Sequence, residues 1–417
     1  MEAPERKLSQ LSVADALKKM LSSAYTIDET ERVDISESVS RVLAQDLKST
    51  TDSPPFHQAS VDGIAFCYAD LALNKSFKLI ESTVSPKSGK VPTCDEGECM
   101  FVVMGSPLPQ RCDTVQKQSL VEVLETGLNL GHVEAQGQYV RERGEEIKAN
   151  SSLFSQGKRI SVADIGLLSS AGVHYVRIFR KARVSLLSIG DDLRSAGAEL
   201  NKGQRFDSNR YMLSALLASS QAELIDSATI SDDYAALTVM MQEAAVKSDL
   251  ILLSGAMSEE NIQYMKRVLK KQYKMSSWQI KLQHGKSLMF GKLESHAGRQ
   301  TLFCGLPSHP ASSLMSYCQL VIPMLDKLSG IDVSESVRFL ATLTQPIEKK
   351  SHKVNYLRGF CASDAQGELQ VHAHAMQDEL TLTSFAESNC FIILPTPHQA
   401  LKPGDKVWVE YFPTSLR

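Results

Sequence analysis

The sequence carries almost no excess of charge of either sign: 45 Lys and Arg stand against 48 Asp and Glu, a formal net charge of -3. That balance removes the electrostatic case for general nucleic-acid binding or for attachment to a membrane surface, so an anionic ligand must be met by a local site. No apolar run approaches the roughly 18 residues that a membrane span needs. The first residues, Met1-Glu2-Ala3-Pro4-Glu5-Arg6-Lys7, are charged where a secretory leader is apolar. A cytoplasmic protein is therefore expected. Its eight cysteines (67, 94, 99, 112, 304, 318, 361 and 390) are scattered. Cys94 and Cys99 are close together, but no second pair or nearby His completes a tetrahedral zinc set, so buried or surface free thiols are expected.

What is present is ample core-forming material. With 417 residues, 43% hydrophobic and 22% charged, the chain predicts a soluble protein of three or four domains. Residues 12–24 read as a helix, with Ser12 as N-cap and Val13, Ala16, Leu17, Met20 and Leu21 on one face. From 56 to 147 short alternating runs, Phe77 to Glu81, Cys99 to Met104 and Thr114 to Gln118, lie between Gly, Pro and Asn turns and predict β structure. Residues 161–172 look helical, and the flanks 30–53 and 148–180 are expected to pair, leaving the β module as an insertion.

The next stretch alternates: strand Val184 to Ser188, helix from Ser208, strand Glu223 to Ser227, helix Asp232 to Val246, strand Leu250 to Leu253, helix Asn261 to Lys271. Such alternation predicts a parallel sheet with helices on both faces and ligands beyond the carboxyl ends of its strands. A helix over 311–328 leads to a small β domain built on Val337 to Leu343, Leu369 to His372, Cys390 to Leu394 and Lys406 to Tyr411. The fold class is thus multidomain, α/β plus β, divided as 1–55, 56–147, 148–180, 181–332 and 333–417.

Six stretches stand out in order. They are Phe56-His57-Gln58-Ala59-Ser60-Val61-Asp62-Gly63-Ile64-Ala65-Phe66, Val140-Arg141-Glu142-Arg143-Gly144-Glu145-Glu146-Ile147, Ser188-Ile189-Gly190-Asp191-Asp192-Leu193, Asp207-Ser208-Asn209-Arg210, Leu253-Ser254-Gly255 and Gly305-Leu306-Pro307-Ser308-His309-Pro310. Taken singly, an Asp-Gly is most often a tight turn, a charged run a solvated face, and a His in a proline turn a surface residue. Taken together, over almost the whole chain, they resemble the molybdopterin molybdenumtransferases, the MoeA and gephyrin E-domain family. That family's first signature reads Phe-Asp-x-Ser-Ala-Met-Asp-Gly-Tyr-Ala.

The resemblance implies a MoaB/MogA-like central α/β domain, an inserted β module and a C-terminal β-barrel-like domain. It implies insertion of molybdate into adenylylated molybdopterin with release of AMP, in a homodimer whose pocket lies between the β module of one subunit and the α/β domain of the other. Asp62 and Glu146 then hold Mg²⁺, a hard cation bound through one or two carboxylates and substrate phosphates. Arg141 and Arg143 suit phosphate or molybdate oxygens. Ser188, Asp191, Asp192, Ser254, Gly255, Lys281, Gly285, Lys286, Pro307 and Pro310 line the substrate site, and other molybdenum-cofactor biosynthesis proteins are possible partners.

Departures from the family pattern supply the alternatives. His57 stands at the first Asp, where it binds an anion as imidazolium or simply fills space; Gln283 replaces a lysine, with Lys281 as compensation; and Ala256, Glu260 and Gln263 replace two glycines and an Asp. Glu259 and Glu260 suit a plain helix N-terminus. These changes leave open a pseudoenzyme that binds molybdopterin or scaffolds cofactor handling, much as the gephyrin E domain also binds peptides, or a pterin-nucleotide-binding regulator without turnover.

Overall fold

The computed structural model describes residues 12–81, 91–231, 233–255, 276–281, 287–294, 300–333, 336–348, 355–394 and 400–416. Two compact units contain the chain: residues 32–178, and residues 1–31 together with 179–417.

In the 32–178 unit a four-stranded sheet runs in the order Lys78–Ile80, Glu98–Val102, Gly63–Phe66, Thr114–Lys117. Gly63–Phe66 lies between two antiparallel neighbours and is buried throughout. Successive side chains of a strand point to opposite faces. Accordingly Ile64 and Phe66 pack with Phe77, Cys99 and Leu128, while Ala65 packs with Ala59, Val102 and Val115. Six of the eight free thiols of the whole chain are buried, and burial pushes the Cys99 thiol up to about 12. Such thiols behave as small hydrophobes. The segments on either side of the module join through Leu47–Lys48 with Ser152–Phe154 and a bridge between Ser53 and Ile147. They share a core that includes Leu43, Ile147, Ile160, Leu168 and Ile178, closed by the helix Val162–Ser170. Ser161 and Asp164 start that helix with reciprocal side-chain to backbone bonds.

In the other unit a six-stranded sheet has the order Ala222–Ile230, Ala182–Ile189, Leu250–Ser254, Gln300–Leu306, Ser287–Glu294, Ser276–Lys281. The first four strands are parallel, as the alternation predicts, and the last two add an antiparallel edge that it does not reveal. The even-numbered residues Val184, Leu186, Leu250 and Leu252 face one helical layer; Leu187, Ile251 and Leu253 face the other. The helix Val13–Ser23, N-capped by Ser12 through the Asp15 N–H, buries Ala16 and Met20 in the first layer. It shares that unit and its core with the sheet. The expected helix at 261–271 lies outside the described residues.

The stretch expected as one helix over 311–328 has three parts: α-helix Pro310–Ser316, a π-helical turn Tyr317–Val321 and α-helix Ile322–Leu328. Pro323 explains the interruption, because it has no N–H for Gln319 and its ring crowds that carbonyl. Beyond it five strands, Phe339–Leu343, Asn355–Ser363, Leu369–Ala373, Cys390–Leu394 and Lys406–Tyr411, close into a barrel. Its interior holds Val371, Cys390, Ile392, Leu394, Val407 and Val409. Outward-facing Phe391 joins Phe385 and Phe412 in the α/β core, its ring 4.7 Å from that of Phe412.

At the amino ends of the parallel strands lies a buried ion pair that the sequence reading did not single out. The Arg180 guanidinium donates to both oxygens of Asp249 at 2.6 and 3.1 Å and to both of Glu29 at 2.9 Å. Burial opposes the Arg180 charge, but the hydrogen bonds it donates to these carboxylates outweigh it and raise its pKa. Asp249 also accepts the Arg183 N–H, and its carbonyl accepts the Leu302 N–H. Removing Asp249 leaves the buried Arg180 only the exposed Glu29 carboxylate and takes the acceptor from the Arg183 N–H, so Asp249→Ala is expected to cost about 3 kcal/mol in urea unfolding. Replacing both partners, as Arg180→Met with Asp249→Leu, should cost less than the single change; a larger loss in the double variant would contradict this account.

Candidate functional site

The 32–178 unit brings two of the marked stretches together. Gln58–Ala59 pairs antiparallel with Val140–Arg141, and Ser53 O accepts from the N–H groups of both Glu146 and Ile147. Asp62 stands exposed at the entry to the central strand, with Oδ1 accepting the Met104 N–H at 2.7 Å. Gly63 beside it has no room for a side chain: a Cβ there would lie 2.1 Å from the Gln116 carbonyl oxygen. Close approach of the neighbouring strand, not a left-handed backbone, is what demands glycine here.

The charged side chains of the 141–146 stretch are already engaged with one another. Arg141 lies 3.6 Å from Glu146 and 3.8 Å from Glu145. Arg143 donates from Nε to Asp52 at 2.6 Å, and Asp52 also accepts the Ala149 N–H at 2.8 Å. The Ala149 bond, and after it the Arg143 bond, hold the Asp52 carboxyl below the usual carboxylate range. Asp52 was not foreseen; its partner lies 91 residues away, and no local pattern marks it. His57 accepts the Arg143 N–H on Nδ1 at 3.3 Å.

In the α/β unit the marked stretches converge on the carboxyl edge of the sheet. Ser188 and Ser254 are direct partners on adjacent strands, and Ser254 in turn pairs with Leu306. Gly255 follows with φ +92°, and a Cβ on it would lie 2.3 Å from the Ile189 carbonyl oxygen, so no other residue fits. Asp207 caps the helix Ser208–Ala218 and accepts from Thr229. Asn209, two residues on from the cap, donates to Ser254 Oγ at 2.9 Å and to Ser308 O at 3.0 Å. It thereby ties the Ser254-Gly255 turn to the Pro307–Pro310 turn. Asp207 and Asn209 belong to a recognised motif but were given no role in the sequence reading.

Asp191 is exposed, its carbonyl accepting from Arg194, and Asp192 is paired with Arg205 at 2.7 Å. Pro307 is buried; Pro310 opens the helix that follows, and His309 stands 4.0 Å from Glu379. Lys281 ends the edge strand with its backbone opposite Ser287. Gly285, Lys286, Gln283 and the substituted positions 256–263 lie outside the described residues.

Among the described residues no group of three or more His, Cys, Asp or Glu could hold a metal ion. No described helix is long and apolar enough to cross a membrane.

Comparison with known proteins joins these observations. Residues 11–172 match the MoeA N-terminal region (domain I and II), 186–327 a probable molybdopterin binding domain, and 341–412 the MoeA C-terminal region (domain IV). A molybdopterin molybdenumtransferase of Haemophilus influenzae is 29% identical over 406 residues, covering 96% of this chain and 98% of its own. Gephyrin of Dictyostelium discoideum is 26% identical over 443 residues, covering 95% of this chain and 61% of its own. The fold is that of the crystal structure of a molybdopterin biosynthesis MoeA protein from Pyrococcus horikoshii, with TM-score 0.78 and 21% identity over 97% of this chain and 100% of that one. Three matched regions in one order and relatives aligned over nearly the full length show that the chain belongs to the molybdopterin molybdenumtransferase family.

Proposed function

We propose that this chain inserts molybdate into adenylylated molybdopterin, with water cleaving the phosphate link so that AMP leaves, as a step of molybdenum cofactor biosynthesis. The observation that carries most weight is the strand-end floor. Ser188, Ser254 and Gly255 stand level there, and Asn209 binds two of the surrounding turns together. Asp62, held from one side by the Met104 N–H and open to solvent, supplies the carboxylate such chemistry needs. The pseudoenzyme reading is not favoured, since the full-length relatives carry the enzyme's name and the backbone-critical Gly63 and Gly255 both remain.

In this reading Asp62 and Glu146 hold Mg²⁺ together with the substrate's phosphates, and the ion's part is to offset charge on those oxygens. Arg141 and Arg143 present guanidinium donors to anionic oxygens, Arg143 with its orientation set by Asp52. Ser188, Asp191, Asp192, Ser254, Gly255, Pro307 and Pro310 shape the substrate site, to which the family resemblance also assigns Lys281, Gly285 and Lys286. The five-segment division at 55, 147, 180 and 332, the cytoplasmic setting and the homodimer belong to the same proposal.

Expression in a strain lacking its own molybdenumtransferase tests the reading: restored nitrate reductase activity without excess molybdate is the expected outcome, and no rescue by a well-expressed chain would overturn it. At Asp62, Asn keeps the volume and an oxygen for the Met104 N–H but loses the charge. Asp62→Asn should therefore leave folding and substrate affinity largely intact while AMP release falls by roughly a hundredfold or more. Undiminished AMP release would remove Asp62 from the mechanism. Light scattering at micromolar concentration should find a dimer, and a strictly monomeric protein would contradict that part of the proposal.

A further inference from the structure

Cys94 and Cys99 are neighbours in the sequence, but the fold gives Cys94 a different partner. A parallel bridge joins Thr93 to Gln110: the Cys94 N–H donates to Gln110 O at 3.3 Å, the Gln110 N–H to Pro92 O at 2.8 Å, and Thr93 Oγ1 to Gln110 Oε1 at 3.1 Å. The turn over 109–112, closed by the Cys112 N–H on Pro109 O at 3.1 Å, then folds Cys112 back towards Cys94. Arg111 within that turn has φ +72°, a left-handed backbone that is uncommon outside glycine. Two bonds, of 2.7 and 3.1 Å, hold its guanidinium to the buried carboxylate of Asp70. The two sulfurs meet across this pairing, with the Cys112 thiol donating to that of Cys94.

Burial pushes the thiols of Cys99, Cys304 and Cys318 up to about 12. Cys94 is also buried, yet it lies below the usual thiol range, first because Cys112 donates to it and then because the Arg111 guanidinium is near, against burial and the Glu98 and Asp95 carboxylates. The same sulfur-to-sulfur bond, and after it burial, hold the proton on Cys112, which is the more exposed of the two. Two sulfurs that share one proton titrate as a pair. Moving that proton to Cys94 leaves the thiolate, the reactive form, on the sulfur of the more exposed residue. Among the described residues no third ligand completes a metal set here, so the pair is a dithiol.

We propose that Cys94 and Cys112 are a site of reversible oxidation, closing to a disulfide by exchange with a small-molecule disulfide such as oxidised glutathione. The Cys112 thiolate attacks one sulfur of the small disulfide, forming a mixed disulfide and releasing one thiolate. That thiolate takes the proton from Cys94, whose sulfur attacks the Cys112 sulfur, closes the protein disulfide and expels the second small thiolate. Each protein sulfur is oxidised by one electron, and the small disulfide is reduced by two. The new bond fixes one end of the segment 104–112, whose other end, the Met104 N–H, holds Asp62. The site is independent of the reaction proposed above.

The test incubates the reduced, folded full-length chain with oxidised glutathione, traps the remaining thiols with a maleimide after unfolding, and reads the intact mass and the peptide map. The expected result is loss of two of the eight free thiols, one cross-linked peptide pair that contains Cys94 and Cys112, and recovery of all eight thiols with dithiothreitol. Cys94→Ala should stop at the mixed disulfide and carry one glutathione on Cys112, whereas Cys112→Ser should carry neither a cross-link nor an adduct at Cys94. The peptide map of the parent decides the matter even where a variant does not fold. Eight thiols retained by the parent, or a cross-link formed instead between another pair such as Cys94 and Cys99 or Cys67 and Cys112, would overturn the proposal.

Discussion

The register of the parallel sheet is fixed where its strands begin, by Arg180 and Asp249. Asp249 takes the guanidinium of Arg180 and the N–H of Arg183 on its carboxylate and the N–H of Leu302 on its carbonyl, so three strands start from one residue. Parallel ladders repeat evenly, and a common start therefore becomes a common finish. Five paired positions later Ser188 and Ser254 end level with Leu306. The pair's value lies less in net stability, which buried ion pairs seldom supply, than in the cost of any arrangement that breaks it. The chemistry at one edge of the sheet depends in this sense on a charge hidden at the other.

Much of this architecture is written locally. Ser12 caps a helix where the N-cap reading puts it, and the runs Cys390 to Leu394 and Lys406 to Tyr411 are strands with the bounds the sequence suggests. The antiparallel edge of the sheet was not legible, because Ser276–Lys281 and Ser287–Glu294 owe their place to pairing with a distant neighbour rather than to their own pattern. The π turn at 317–321 has a visible cause in Pro323, but proline alone does not say whether a helix will end, kink or widen.

The candidate site was legible as a set of short motifs and illegible as a set of partnerships. Asp62 and Gly63 could be picked out because their stretch resembles the family signature; that Gly63 is required by the Gln116 carbonyl could not. Arg141 and Arg143 read as donors waiting for an anion, whereas the fold has already set them against Glu145, Glu146 and Asp52. Asn209 is the clearest case. Its motif was recognised, yet only the convergence of Ser254 and Ser308 around its carboxamide gives it a task.

The two crowded glycines bear on how such a chain can change over time. At 63 and 255 the obstacle is a backbone oxygen, belonging to Gln116 and to Ile189, and a backbone oxygen cannot be swapped for a smaller one. Side chains around these points are under no such bar, and their replacement alters charge without disturbing the path of the chain. A lineage can therefore rewrite the polar lettering of its motifs, as with His57 here, while the steric frame beneath stays closed to drift.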